Sequence, residues 1–476
     1  MSGTAWETAF YAIWAVYFVV LVGWVILQKR SPTATLAWIL LLGWLPVIGL
    51  LAFYFFGPQR LKRFRSRRVR TRVALALQAE AAQSREQNTD IPPQAHQLVR
   101  LGLASSDAPL STAHAVDLLV DGAQTFEAMF EAIRCARHHV HLESYIFDAD
   151  RIGTTMRDLL IEKAREGVKV RVLVDALGSW SASRRFFEPL RAAGGQVGYF
   201  HSTKIGRRLR PVTNFRSHRK ILVCDGHIAF TGGINVTDDG DERVNPRAYH
   251  DIHLRIAGGA ARWLQMVFLE DWVYSREAEN FPPEELNDLL PESRPGRYYL
   301  QILHSGPSDE RESIHRAQVA ALYAATKRAW LTTPYFVPTH EALMALTSAA
   351  MRGVDVRILV PRRSDSLIVS AAARSYFDEL IRYGVRIWEY HDKMLHSKTL
   401  VIDDECSFVG TANFDPRSFW LNFEVCAVVY GAELAQQLAA QFEADLQDST
   451  EVPANRRLPL HQRFLDAGAR LFSPLL

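Results

Sequence analysis

Cysteine is scarce in this chain. Four occur in 476 residues, Cys135, Cys224, Cys406 and Cys426, with no C-x-x-C pair and none beside histidine at zinc-finger spacing. No metal site, redox motif or disulfide framework is visible in that pattern. Reduced, mostly buried thiols are expected, as in a domain that faces the cytosol. Net charge is small as well, +3 at pH 7, and says little by itself. Its distribution says more. Acid is absent from Arg60 to Arg72, where eight of thirteen positions are Lys or Arg. Such a cluster suits nucleic acid, an anionic membrane surface or plain solvent. It follows directly on an apolar segment, which favours the membrane. Lys and Arg are also absent ahead of the first apolar run, where Glu7 stands instead, so that run is not read as a signal peptide.

Long apolar runs are present. Phe10 to Leu27 gives eighteen uncharged residues and Leu36 to Phe56 twenty-one. Each is about long enough to cross a ~30 Å hydrocarbon core at ~1.5 Å per residue. Lys29-Arg30-Ser31-Pro32-Thr33 makes a tight turn between them, and several of Trp6, Trp14, Trp24, Trp38 and Trp44 are candidate interface anchors. Residues 1–58 therefore read as a transmembrane helical hairpin. Basic residues in the turn number two and those after the second run eight, which puts both termini in the cytoplasm. Gly43, Pro46 and Gly49 interrupt the second run, so a re-entrant hairpin stays open. A buried hairpin in a soluble protein is the weaker alternative. Residues 59–111 read as a basic juxtamembrane linker with a helical stretch around Gln78 to Gln97.

Beyond it, helical and strand patterns alternate in an order that repeats. Thr155 to Glu166 is helical, ends at Gly167 and leads into a strand over Val168 to Val174. Leu343 to Arg352 is helical, ends at Gly353 and leads into a strand over Val354 to Val360. The octapeptides from Gly167 and from Gly353 are near copies. The pattern predicts two α/β units, 112–290 and 291–476, with mostly parallel or mixed sheets related by a pseudo-twofold axis.

The repeat carries chemistry. His218-Arg219-Lys220 is followed by Asp225, and His396-Ser397-Lys398 by Asp403, both as H-x-K-x₄-D at an offset of 178 residues. The same offset carries Gly232 onto Gly410 and Asn235 onto Asn413. One such motif on a surface strand would mean nothing; two in register imply two histidines and two lysines at one site. On a strand, i and i+2 share a face, so each His projects with its Lys. A neutral imidazole attacks phosphorus, a protonated one gives its proton to the leaving alcohol, and lysines and asparagines steady the non-bridging oxygens. Gly232 and Gly410 are expected where the backbone passes close to something. Glu424, 28 residues after His396, and Asp251, 33 after His218, are candidate carboxylates to orient the histidine upstream of each. Asp225 and Asp403 stand at turns and are expected to support structure. Asn235-Val236-Thr237 matches a glycosylation acceptor, but its place in the motif argues for the site.

These residues resemble the paired motifs of the phospholipase D superfamily. Longer stretches resemble bacterial cardiolipin synthases in particular: Arg30 to Trp38 and Leu45 to Gly49 in the hairpin, and Glu143 to Phe147, Phe230 to Asn235, Thr333 to Pro338 and Gly410 to Glu424 beyond it. The resemblance spans nearly the whole chain. It implies transfer of a phosphatidyl group between two phosphatidylglycerol molecules, giving cardiolipin and glycerol through a phosphohistidine. His218 would attack; His396 would protonate the departing glycerol and later take a proton from the incoming hydroxyl. No cofactor or metal is implied. Phosphatidylglycerol and anionic membrane lipids are the expected partners, with no nucleic acid, at a bacterial inner membrane. The chain departs from the family before Asp251, where Arg247-Ala248-Tyr249-His250 stands in place of a frequent Trp.

Three rival readings remain at this level: a phospholipase D-type hydrolase, a nuclease gripping phosphates with its arginine run, and a lipid-binding scaffold with a relic site. The hairpin argues against the nuclease and the intact motifs against the relic. Tyr145, Trp180, Tyr335 and Trp388 are candidates for an acyl-chain entrance, or plain core. Phe464-Leu465, Leu471-Phe472 and Leu475-Leu476 would rest on a bilayer or pack on the second half.

Overall fold

The structure is a computed structural model that describes residues 3–27, 32–56, 91, 95–201, 214–276, 288–291, 294–307 and 311–473. The chain divides into two compact units, the N-terminal helices and the α/β body.

Both apolar runs of the first unit are helical: α1 (Gly3–Ile26), α2 (Pro32–Trp44) and α3 (Pro46–Phe56). The second run is broken at Leu45-Pro46 because proline has no N–H to donate and suits the first position of a new helix. Leu21, Val25 and Leu42 make a small core, with Phe53 against Trp24 and Trp38 at ring distances of 4.9 Å. Among the described residues no helix is long and apolar enough to cross a membrane. The Lys29-Arg30 turn and the basic cluster from Arg60 to Arg72 lie outside the described residues.

The body opens with α4 (Ala95–Ser106), β1 (Ser111–Ala113) and β2 (Ala115–Val120). Then come α5 (Asp121–Cys135), β3 (His139–Ser144), α6 (Arg151–Arg165), β4 (Lys169–Asp175), α7 (Glu188–Ala192), β5 (Gln196–Phe200), β6 (Ile221–Cys224), β7 (Ile228–Gly232), β8 (Ile252–Ala257) and α8 (Ala261–Arg276). The second half has β9 (Tyr298–Ser305), α9 (Ser313–Ala324), β10 (Arg328–Thr332), α10 (His340–Met351), β11 (Asp355–Pro361), α11 (Leu367–Arg382) and β12 (Arg386–Tyr390). It ends with β13 (Thr399–Ile402), β14 (Cys406–Gly410), α12 (Pro416–Trp420), β15 (Glu424–Tyr430), α13 (Ala432–Gln447), β16 (Ser449–Glu451) and α14 (Leu460–Arg470).

The two sheets are built alike. One runs β2-β8-β7-β6-β3-β4-β5; the other runs β1-β9-β15-β14-β13-β10-β11-β12-β16. Seven strands correspond one to one. In each sheet a parallel trio (β3-β4-β5, β10-β11-β12) joins an antiparallel set, a mixed sheet. The near-copy octapeptides supply β4 and β11. Each follows a helix ended by glycine at positive φ, Gly167 at 90° and Gly353 at 89°, the left-handed stop that glycine adopts without a Cβ penalty. Helices cover the sheets with apolar stripes at helical spacing, as in Phe126, Met129, Phe130 and Ile133 of α5. The halves meet where β14 and β15 pack on β7 and β8.

One boundary differs from the sequence reading. The segment expected to be linker up to residue 111 is, from Ala95, part of the second half: Leu98, Val99, Ala108 and Leu110 lie in its core, and Ser111 pairs with Leu300 across β1 and β9. The glutamine- and alanine-rich stretch ahead of it lies largely outside the described residues.

Candidate active site

Both motifs enter the site just before a strand of their own sheet. His218, Arg219 and Lys220 precede β6, and His396, Ser397 and Lys398 precede β13. The sequence reading placed each His and Lys on a strand. Instead, these segments pair across the halves. Ser217 bridges to Phe423 and Leu395 to His250. The amide of His218 donates to Phe423 O at 3.0 Å and that of His396 to His250 O at 2.8 Å. Phe423 and His250 immediately precede Glu424 and Asp251, so each bridge carries a carboxylate to the opposite histidine.

The orienting pairs are therefore crossed. His218 Nδ1 lies 3.1 Å from the Glu424 carboxylate and 3.0 Å from Thr411 O. His396 Nδ1 lies 2.6 Å from Asp251 Oδ2. This corrects the expectation that each carboxylate serves the histidine of its own half. The reason is topological: β8 and β15 follow the motifs in sequence but lie at the face where the two sheets meet. Because the partners of both Nδ1 atoms are acceptors, the ring proton sits on Nδ1 and Nε2 keeps its lone pair. Nε2 is the atom able to attack phosphorus.

Glycines make the close approach possible. A Cβ on Gly233 would fall 2.0 Å from Asp251 Oδ1. On Gly232 and Gly410 it would meet Ile252 O at 2.5 Å and Val425 O at 2.4 Å. Lys220 Nζ donates to His218 O at 2.8 Å and sits 5.5 Å from the Tyr145 ring centroid, and Lys398 Nζ donates to His396 O. Tyr145 stands edge-on to His218 at 5.0 Å and Tyr249 lies 5.2 Å from His396.

Electrostatics reflect crowding of like charge in a dry site. Burial first, then Lys398, pushes Lys220 down to about 7. Burial, against the pull of Asp251, brings Lys398 to about 8. Burial and then Lys398 hold His396 down, to about 4, and burial lowers His218 despite Glu424. Burial alone would raise both carboxylates, but Lys398 and His396 beside Asp251, and His218 and Lys220 beside Glu424, keep them below the usual range. The site thus holds two neutral imidazoles, two carboxylates and two lysines of lowered basicity, which a neighbouring anion would raise.

Asp225 and Asp403 stand apart from this chemistry. Each adopts φ of 52° at its turn. Asp225 accepts from the amides of Arg137, His138 and His139 at 2.8 to 2.9 Å, and Asp403 from those of Thr326, Lys327 and Arg328 at 2.7 to 3.1 Å. They tie the β6–β7 and β13–β14 turns to the start of β3 and β10. Asn235 Oδ1 accepts from Ile146 N at 3.2 Å, whereas Asn413 Oδ1 is buried with no hydrogen-bond partner among the described residues. Among the described residues no group of three or more His, Cys, Asp or Glu is placed to hold a metal ion.

Of the aromatic candidates, Tyr145 lies at the site. Tyr335 donates to Asp365 at 2.7 Å, Trp180 is exposed, and Trp388 is buried between Arg357 and Arg386. Sequence reasoning missed Arg219, which is fully buried and pairs with Asp271 while reaching Glu424 O at 3.1 Å and Ser305 O at 3.0 Å in the other half. The signal was there: strand alternation sends Arg219 to the face opposite His218 and Lys220, and Ser397 replaces it in the second motif. Thr411, whose hydroxyl donates to Glu424, and His250 were missed too.

The chain is similar to known proteins along both halves. A family model described as "Cardiolipin synthase, PLD-like domain" matches residues 129–272 and 319–446, one match in each half. The chain is 37% identical to cardiolipin synthase 1 of Bacillus anthracis over 98% of its own length and 93% of the relative's. It is 39% identical to cardiolipin synthase of Geobacillus sp. (strain WCH70), over 96% and 92%. The solved phosphatidylserine synthase of Haemophilus influenzae Rd KW20 superposes with a TM-score of 0.61 at 16% identity, covering 80% of this chain and all of that one, a likeness of fold. With two matched half-domains and relatives along almost its entire length, the chain belongs to the cardiolipin synthase family.

Proposed function

We propose that this phosphatidyltransferase joins two phosphatidylglycerol molecules into cardiolipin and releases glycerol. The observation that carries the reading is the crossed pairing: each histidine has its Nδ1 proton anchored by a carboxylate and its Nε2 free. His218 Nε2 attacks phosphorus; a P–N bond forms and the P–O bond to the headgroup glycerol breaks. His396, protonated once the phosphodiester anion is bound beside it, gives its Nε2 proton to the departing glycerol oxygen. The neutral His396 then takes a proton from a glycerol hydroxyl of the second lipid. That oxygen displaces His218 and the P–O bond of cardiolipin forms. Lys220, Lys398, Asn235 and Asn413 steady the non-bridging oxygens as charge builds.

The N-terminal helices anchor the enzyme in a bacterial inner membrane with both termini in the cytoplasm. What supports this is their apolar surface: Val16, Val19, Val20, Leu36, Leu40, Val47 and Ile48 are all exposed. Full-chain protein in the membrane fraction is expected to resist carbonate extraction, and release into the supernatant would sink the anchor.

The reaction is tested on phosphatidylglycerol vesicles. Wild type should yield cardiolipin and glycerol in equal amounts, and His218→Ala and His396→Ala should each lose on the order of 10³-fold or more in turnover. Phosphatidic acid without cardiolipin would favour the hydrolase.

A further inference from the structure

Helix α14 is oriented against the usual rule. A surface helix normally turns its apolar stripe to the core. Here the buried positions are Asp466 and Ala469, while Leu460, Phe464, Leu465, Leu471 and Phe472 at and just beyond it are 70, 77, 67, 82 and 55% exposed. At roughly 100° per residue, Leu460, Phe464 and Leu471 fall along one line, with Leu465 and Phe472 about 100–120° further round. The inversion is held by specific bonds to α11. Arg374 binds Asp466 at 2.7 Å, Tyr376 donates to Ser473 Oγ at 3.1 Å, and Arg470 meets Glu379 at 3.3 Å. The apolar face is thus presented, not left over from loose packing.

The charge that the helix itself exposes is basic. Asp466 is the helix's single acid and is buried against Arg374, whereas Arg457, His461 and Arg463 are exposed. Asp378 and Glu379 of α11 lie alongside but pair with Arg456 and Arg470, so apolar side chains flanked by basic residues are left to complement an anionic, apolar surface. The supporting helix α11 begins with exposed Leu367 and Ile368, two and three residues after Asp365, which holds the Tyr335 hydroxyl.

We propose that α14, with Leu471 and Phe472, is a second membrane contact of the enzyme, resting on the headgroup layer of an anionic bilayer with Phe464 and Leu471 inserted. The choice of a lipid surface as occupant rests on the lipid-transfer reading. The contact would act by holding the catalytic body at the depth where lipid headgroups lie. Leu475 and Leu476 lie outside the described residues.

The test uses the full chain with Cys135→Ser, since Cys135 is exposed and the other three cysteines are buried. An environment-sensitive fluorophore is placed on the thiol introduced by Phe464→Cys. In vesicles containing phosphatidylglycerol the emission should shift to the blue and resist an aqueous quencher; in phosphatidylcholine vesicles it should do neither. An unshifted, quenchable probe in both overturns the proposal. So does a shift that follows protein concentration and ignores lipid charge, which would mean a second copy of the chain covers the helix. In parallel, Phe464→Ser/Leu471→Ser should lower activity on phosphatidylglycerol vesicles by about tenfold, from lost insertion of two apolar side chains. It should leave activity on monomeric short-chain phosphatidylglycerol unchanged. Equal loss on both substrates would make the residues structural and overturn the proposal. A wild type inactive on both would instead fault the lipid-transfer reading, leaving the probe result standing.

Discussion

His218 and His396 differ in how tightly their tautomers are held. Asp251 approaches His396 at 2.6 Å, while His218 shares its proton between Thr411 O and Glu424 at 3.0 and 3.1 Å. Both carboxylates are buried and act on geometry and charge together, as in the aspartate of a hydrolytic triad. Glu424→Gln and Asp251→Asn should each lower turnover by roughly 10²- to 10⁴-fold with little change in substrate affinity. A loss below tenfold in steady-state kinetics would show that the carboxylates only fill space. The lysines set a second, separable behaviour. With Lys220 at about 7 and Lys398 at about 8, the free enzyme loses positive charge as pH rises through that range. A bound phosphodiester raises both values. kcat/KM should therefore fall above pH ~7–8 while kcat holds to higher pH, because the first reports free enzyme and the second the complex. Parallel decline of the two parameters would assign the alkaline limb elsewhere.

At the scale of elements, much was legible and one thing was not. The octapeptides at Gly167 and Gly353, the glycine stops and the two H-x-K-x₄-D turns could be read because their signals are local: period, spacing, turn residues. The crossing of Glu424 and Asp251 could not, since nothing local says which sheet a strand will face. Nor could the role of residues 95–111, whose apolar positions find their partners some two hundred residues away, as Val99 O does with Gln301 Nε2 at 3.0 Å. His250 shows the same limit. It joins the halves as a buried cation: Nδ1 lies 2.7 Å from Asp121 on α5 and Nε2 3.0 Å from Asp445 on α13. Burial opposes its charge, but hydrogen bonds to the two carboxylates prevail and push it up to about 10. Lys393 lies 3.9 Å from Asp121, and the stacked Tyr390 is held above its ordinary value, so it stays neutral across the relevant range. The folded value exceeds the unfolded ~6.5, so this stabilisation is complete below pH ~6.5 and is lost as pH rises towards 10. His250→Gln should reduce stability at neutral pH by about 3 kcal/mol, since buried Asp445 and half-buried Asp121 lose their partner. It should also flatten the decline between pH 7 and 10 in denaturant titrations. An unchanged slope would mean the clasp carries no charge.

For the molecule as a whole, the decisive property is that one chain supplies a complete site. His218 comes from the first half and its carboxylate from the second; His396 comes from the second and its carboxylate from the first. Arg219 ties them further, reaching from the first motif to the carbonyls of Glu424 and Ser305. Neither half holds its own histidine with a carboxylate, so on the proposed mechanism the duplication works only when both copies fold against each other. This has a consequence for mixtures. If His218→Ala and His396→Ala chains are purified separately and combined in the same vesicles, every site lacks one histidine. Activity should stay at the level of the single variants at any ratio and concentration, whatever the oligomeric state. Recovery towards a quarter or half of wild-type turnover would require a site assembled between chains, with β7 and β8 of one copy packed on β14 and β15 of another. The bridges Ser217–Phe423 and Leu395–His250 would then have to form between molecules. An exchanged pair should separate on dilution and lose activity with it, whereas a site closed within one chain keeps its specific activity as protein is diluted.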